Sequence, residues 1–170
     1  MNTAVRLPVT LSPARLSPAR LSPAQLGQIV ARVAASADDW RELVRFGPER
    51  RWYHRLELAD DHEVWLLSWL PGQETGFHDH GDAAGAFAVA QGELQERTAA
   101  VGRPGARGRT VPAGRPRSFG SQHVHDVRNI SAGPAISIHA YSPPLSAMRR
   151  YDLTSAGLVQ TAIQSAERGW

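Results

Sequence analysis

Apolar positions along the chain follow two rhythms. Between Leu26 and Phe46 they recur every three to four residues: Ile29, Val30 and Val33, then Trp40, Leu43, Val44 and Phe46. That spacing lines one face of a helix. It predicts two short helices, the second capped by Ser36 or Asp38 and stopped by Gly47-Pro48. Beyond Pro48 the period drops to two. In RRWYHRLEL, Trp52, His54, Leu56 and Leu58 fall on one face and Tyr53, Arg55 and Glu57 on the other, as in a β-strand. EVWLLSWL is a mostly apolar strand ended by Pro71-Gly72, QHVHDVRNI alternates again, and AISIHAYS is a further strand broken by Pro143-Pro144. Between Gly72 and Gly92, a strand-like run carries His78 and His80. The apolar AFAVA and a Gln91-Gly92 turn follow, so the region reads as a small hairpin presenting two imidazoles on one face. Residues 101–120 read as a long Arg-, Gly- and Pro-rich connection with a short strand at Arg109 to Val111. The segment after Ser146 reads as a short amphipathic or frayed tail.

Several short strands punctuated by Gly and Pro, preceded by helices, predict a mainly β fold: a small antiparallel barrel or jelly roll with short N-terminal helices. The mouth of such a fold is the expected place for a site. Residues 1–25 contain the repeat LSPAR-LSPAR-LSPAQ. A Pro every five residues opposes a regular helix, and no buried face is present. The segment is expected to be a disordered tail, leaving 26–170 as a single domain.

Composition narrows the function classes. The chain of 170 residues has no Cys, which excludes disulfides, thiolate catalysis and Cys-ligated zinc. It also fits a cytoplasmic location. Every one of the 19 basic residues is Arg, and the net charge is only +3. The densest Arg run, Arg103 to Arg117, lacks interleaved aromatics, so nucleic acid is not an expected partner. No apolar run approaches the ~18 residues that a membrane helix needs, and the N-terminus has no signal-peptide pattern. A lone domain of this size is expected to be a monomer.

Seven histidines carry the candidate chemistry, and His-x-His occurs twice, at His78/His80 and His123/His125. Alternate strand positions share a face, so each pair can converge on one ion, and imidazole suits Fe, Zn, Cu, Ni or Mn. No HExxH helix pattern is present. Periodicity does not choose between His123 and His125 as a third ligand. Ser137, His139 and Tyr141 stand at i, i+2 and i+4 of one strand and can form a hydrogen-bonded chain from Ser to His to Tyr.

The spacing Gly72-x5-His78-x-His80-x4-Gly85-x6-Gly92 resembles the first cupin motif, with Gly85 where most cupins carry a Glu ligand. His125-x3-Asn129 resembles the end of the second motif. The implied ligands are His78, His80 and His125, without the carboxylate of the 2-His-1-carboxylate iron triad. This three-His pattern resembles the cysteine dioxygenase family of thiol dioxygenases. So do the Tyr53-x-Arg55 segment, FHDHGDAAGAF, HDVRN and, most specifically, Ser137-x-His139-x-Tyr141-Ser142-Pro143-Pro144. The resemblance implies Fe(II) as cofactor, with O2 and a small thiol, L-cysteine first, as substrates and a sulfinate as product. It implies that Arg55, assisted by Tyr53 or Tyr141, binds the carboxylate. It also implies that Tyr141, positioned by His139 and Ser137, acts in catalysis. Related enzymes that prefer 3-mercaptopropionate tend to carry Gln at the Arg55 position. Mammalian members link a Cys to the active-site Tyr. That Cys position falls on Gly85, so Tyr141 is unmodified here. The competing readings are a dioxygenase of 3-mercaptopropionate or another small thiol, and a metal-binding cupin without catalysis.

Overall fold

A computed structural model describes residues 19–165 of the chain. Most of the LSPAR tail, up to residue 18, and the last five residues lie outside the described residues. Helix α1 spans Pro23–Ala35. The Ser22 Oγ accepts from the Gln25 N–H (3.3 Å), and the Gln25 side chain accepts from the Ser22 N–H (2.9 Å). This reciprocal pair satisfies two of the donors that a helix start leaves open. Pro23 occupies the first turn, where a missing N–H costs nothing. The last LSPA unit therefore starts a helix, and the expected tail ends short of residue 25. Arg20, paired with Asp82 (2.7 Å), and Leu21, whose N–H donates to Ser142 Oγ (2.8 Å), tie this entry to the body of the protein.

The second expected helix is replaced by two three-residue 3-10 turns, Ala37–Asp39 and Arg41–Leu43. Ser36 does not cap them, because its hydroxyl donates back to the Arg32 carbonyl (3.2 Å) and closes α1 instead. The Trp40 indole N–H donates to the Val33 carbonyl (2.8 Å), folding these turns onto the helix.

Eleven strands follow: β1 Trp52–Leu58, β2 Glu63–Trp69, β3 Phe77–His78, β4 Ala84–Gln91, β5 Glu93–Ala100, β6 Arg103–Pro112, β7 Arg117–Phe119, β8 His125–Arg128, β9 Ala135–Ser142, β10 Ala147–Thr154 and β11 Gly157–Ser165. They form two antiparallel sheets, ordered β1-β2-β9-β4-β7 and β11-β10-β3-β8-β5-β6. The mainly β, jelly-roll expectation holds, as two facing sheets.

Three local expectations change. The Gly72–Gly92 region is not a hairpin, because β3 and β4 belong to different sheets and residues 79–83 cross between them. Within 101–120 the predicted short strand is the ten-residue β6, paired along β5. All its side chains but Val111 are exposed, so it carries no apolar alternation to read. The segment after Ser146 is the β10–β11 hairpin, and β10 pairs with β3.

Two apolar layers result. Trp65, Leu67, Trp69, Phe87, Val89, Val127 and Met148 fill the space between the sheets. Leu26, Val30, Val64, Leu66, Ala88, Ile136 and Ile138 pack between α1 and the outer face of the five-stranded sheet. Strands β2 and β9 are thus covered on both faces, which is why EVWLLSWL reads as continuously apolar. Each fully buried Leu or Ile in these layers contributes about 1.5–3 kcal/mol.

Candidate metal centre

The six-stranded sheet brings His78 and His125 opposite each other, as Cα partners of β3 and β8. His80 reaches the same point from the crossing segment. One ligating nitrogen from each of the three rings lies within 4.8 Å of the other two, and all three residues are buried. Ring centroids stand 4.9 Å apart for His78–His80, 4.9 Å for His78–His125 and 5.1 Å for His80–His125.

Hydrogen bonds orient two of the rings. The His78 Nδ1 lies 3.0 Å from the Gly76 carbonyl, which can only accept, so Nδ1 carries the proton and Nε2 keeps its lone pair. The His125 Nδ1 lies 3.1 Å from the Glu96 carboxylate, with the same consequence. Neither nitrogen of His80 has a hydrogen-bond partner among the described residues, although both are buried. Leaving such atoms unpaired costs about 1–3 kcal/mol each. A cation held by Nε2 of His78 and of His125 and by one nitrogen of His80 would remove that cost at the liganding His80 atom, so the residues present fit a bound metal. Burial lowers the pKa of His78 and His80 well below the ordinary value; the neighbouring His125 adds to the shift of His78, and His78 and His125 add to that of His80. The rings are therefore neutral and able to ligate near pH 7.

Glu96, on β5, is the main site residue that the sequence did not reveal. It is fully buried. It accepts from Arg117 Nε (3.0 Å), His123 Nε2 (2.9 Å) and His125 Nδ1 (3.1 Å). Burial raises its pKa, but these hydrogen bonds outweigh burial and hold the carboxyl well below its usual range. Glu96 and His123 also form a possible ligand trio with His125. With His125 presenting Nδ1 to Glu96, however, the lone pair of that ring points to His78 and His80. Asp79 is a second residue that the sequence left unassigned. Its carboxylate accepts from the N–H groups of Gly81 (3.0 Å) and Arg149 (3.1 Å), from Arg149 Nη1 (2.9 Å) and from the Tyr151 hydroxyl (2.8 Å). It pins the segment between the two ligands to β10.

Gly85 explains the departure from the cupin pattern. A Cβ at this position would overlap the Phe119 ring (2.6 Å from Cζ) and stand 3.0 Å from Tyr141 Cδ1. Phe119 in turn stacks on His80 (5.1 Å).

The chain expected on β9 is present. Trp69 Nε1 donates to Ser137 Oγ (2.8 Å), Ser137 Oγ lies 2.9 Å from His139 Nε2, and His139 Nδ1 lies 3.3 Å from the Tyr141 hydroxyl. One polarity gives Ser137's own proton a partner: Ser137 donates to His139 Nε2, and His139 Nδ1–H donates to Tyr141. Burial lowers the pKa of His139 and raises that of Tyr141, so both are neutral. The Tyr141 ring stacks on His80 (4.9 Å).

Beside the ligands lies a narrow cavity lined by His78, His125, His139, Tyr141, Arg51 and Arg150, with Leu67, Val127 and Met148 as its apolar walls. Tyr53 is half-buried, against the inner apolar layer and edge-on to Trp65 (5.9 Å). Arg55 does not line the cavity. Its side chain is 46% exposed, with Nη1 3.8 Å from Glu63 and the guanidinium 5.3 Å from the Trp65 ring centroid. Asn129 serves the fold: its side chain donates to the Trp69 and Gly133 carbonyls (3.2 and 2.9 Å).

The model of the family described as Cysteine dioxygenase type I matches residues 20–154. A zebrafish (Danio rerio) protein named Cysteine dioxygenase type 1 is 30% identical over 133 residues, 69% of this chain. The match spans 64% of that relative's own length. A Klebsiella pneumoniae protein with a double-stranded β-helix domain superposes with a TM-score of 0.54 at 20% identity, covering 72% of this chain and 93% of that one. An RmlC-like cupin protein from Desulfovibrio desulfuricans superposes at 0.51 with 21% identity, covering 60% and 91%. These two likenesses establish the fold, a cupin.

Proposed function

The chain belongs to the cysteine dioxygenase type I family, and from that premise we propose that it oxidises L-cysteine to cysteine sulfinate with O2, using Fe(II) held by His78, His80 and His125. The observation that carries this reading is His80, with both ring nitrogens buried and without a hydrogen-bond partner among the described residues, facing two other oriented imidazoles. His78, His80 and His125 would hold the ion through three neutral imidazoles. Fe(II), when bound, would supply the redox chemistry. The O–O bond breaks, two S–O bonds form, sulfur gives up four electrons that reduce O2, and no outside reductant is consumed.

The protein supplies the surroundings. Tyr141 stays protonated beside the ligands, its hydroxyl oriented by His139, Ser137 and Trp69. Leu67, Val127 and Met148 keep bulk water out of the cavity. Arginine side chains at its rim fit the carboxylate of an amino-acid substrate.

The test is anaerobic loading of the full chain with Fe(II), then O2 uptake with L-cysteine, 3-mercaptopropionate and cysteamine and identification of the product by mass. Sulfinate formed from cysteine, with one O2 consumed per thiol, is the expected result. Iron-loaded protein that consumes no O2 with any of the three would end the dioxygenase reading.

A further inference from the structure

We propose that Phe119 is the positioning residue for His80, the ligand whose ring no hydrogen bond among the described residues orients. The inference rests on the three-histidine centre above and not on the thiol chemistry, so a failed O2-uptake test does not touch it. His78 is fixed through the Gly76 carbonyl and His125 through Glu96. A metal-ligating imidazole ordinarily has such a partner on the nitrogen that does not bind the ion. His80 has none among the described residues on either nitrogen. Its backbone is held, since the Ala83 N–H donates to the His80 carbonyl (3.1 Å). A fixed backbone still leaves the side-chain torsions to be set.

Strand pairing supplies the restraint. Gly85 on β4 is the Cα partner of both Phe119 on β7 and Tyr141 on β9. Residues opposite one another on antiparallel strands share a face. Phe119 and Tyr141 therefore flank a position that has no side chain, and both rings close over it. A Cβ on Gly85 would come within 2.6 Å of Phe119 Cζ and 3.0 Å of Tyr141 Cδ1. The two rings make a floor with the glycine between them, and the His80 ring lies on it. Its centroid is 5.1 Å from Phe119 at an interplanar angle of 27°, and 4.9 Å from Tyr141 at 28°. Tyr141 also belongs to the relay, whereas Phe119 has no polar atom, so ring contact is its whole contribution. Phe119 is itself backed by His123, on which it stacks (4.6 Å, 20°) and whose Nε2 lies 2.9 Å from Glu96. The same carboxylate orients His125. Two ligands are thus held from one place, His125 by a hydrogen bond and His80 through a stack of rings. His123, left without a role by the choice of His125 as ligand, gains one as the support of Phe119.

The experiment is titration of the metal-free full chain with Co(II) under argon, followed by visible absorption, in wild type, Phe119→Leu, His80→Ala and the double variant. Losing the stacked ring should weaken Co(II) binding about 2- to 10-fold in the wild-type background. In the His80→Ala background the same change should have no effect, because the ring that Phe119 holds is gone. Ile138→Ala removes buried bulk from the layer under α1, away from the ligands. It should lower the melting temperature and leave Co(II) affinity unchanged, which separates positioning from general loss of stability. If thermal melts show that Phe119→Leu does not fold, Phe119→Met takes its place, since an unbranched side chain fills the space without a ring. An equal loss in both backgrounds, or no loss in either, overturns the inference and leaves the metal centre standing. If wild type and His80→Ala bind Co(II) alike, the three-histidine centre and the inference fall together.

Discussion

Replacing Glu96 by Gln tests how the third ligand is held. The substitution keeps the shape and removes the charge. The amide oxygen can still accept from one imidazole, but its NH2 then faces Arg117 and Arg109. Arg109 is half-exposed and 3.4 Å away, so its loss counts for little. The Arg117, His123 and His125 bonds are the ones that matter, at 3.0, 2.9 and 3.1 Å around a carboxylate with no solvent exposure. Breaking one side of a buried charged cluster costs about 3–5 kcal/mol. In a protein of this size that lowers the melting temperature by roughly 6–20 °C. The imidazole of His125 also loses its orienting partner, and metal affinity should fall about 10- to 100-fold. Thermal melts of the metal-free protein read the first effect. Competition for Fe(II) against a chelator under argon reads the second, with His80→Ala setting the floor. A Glu96→Gln protein that matches wild type in both would refute the assignment of Glu96 as the group that orients His125.

Two further outcomes follow from the same geometry. Gly85→Ala should destabilise the protein by about 1–3 kcal/mol through overlap with Phe119, and Phe119→Leu in the same chain should relieve part of that cost; urea melts that leave Gly85→Ala at the wild-type midpoint would contradict it. The metal-free protein should lose stability as pH falls from about 7 to about 5. Burial depresses the folded pKa values of His78, His80 and His139, so below the ordinary value of 6.5 the unfolded chain binds protons that the folded one does not. The unfolded state then gains up to about 1.4 kcal/mol per pH unit for each histidine. A stability that stays flat over that interval would show that these rings are protonated in the fold.

The parts of the site that lie within one strand were legible in the sequence. His78-x-His80 and Ser137-x-His139-x-Tyr141 use the period of two that a strand imposes, and the fold brings both sets to one place. The parts that depend on pairing between distant strands were not. Glu96 sits in ELQERT, an alternating polar run that reads as an exposed strand, and its burial comes from β8 and the arginines around it. Arg150 reaches the cavity because β10 pairs with β3, a contact between residues far apart in the chain. The hairpin reading of Gly72–Gly92 failed for a related reason. Glycines mark where the chain turns, but not whether the next strand joins the same sheet. The second helix failed because the Ser36 hydroxyl closed the helix behind it instead of opening one ahead.

The pairing of β3 with β10 bears on how the protein is made. A chain leaves the ribosome N-terminus first, so His78 and His80 emerge long before the strand that steadies them. Arg149 follows Asp79 by 70 residues, and until it arrives the segment between the two ligands lacks the arginine that anchors it. Until then a nascent chain lacks the contacts from β10 that hold the segment between His78 and His80. The same order means that a product cut short before Ala147 would contain all three ligands and the whole Ser137–His139–Tyr141 relay, and would lack the strand whose Arg149 and Tyr151 hold Asp79 between two of those ligands.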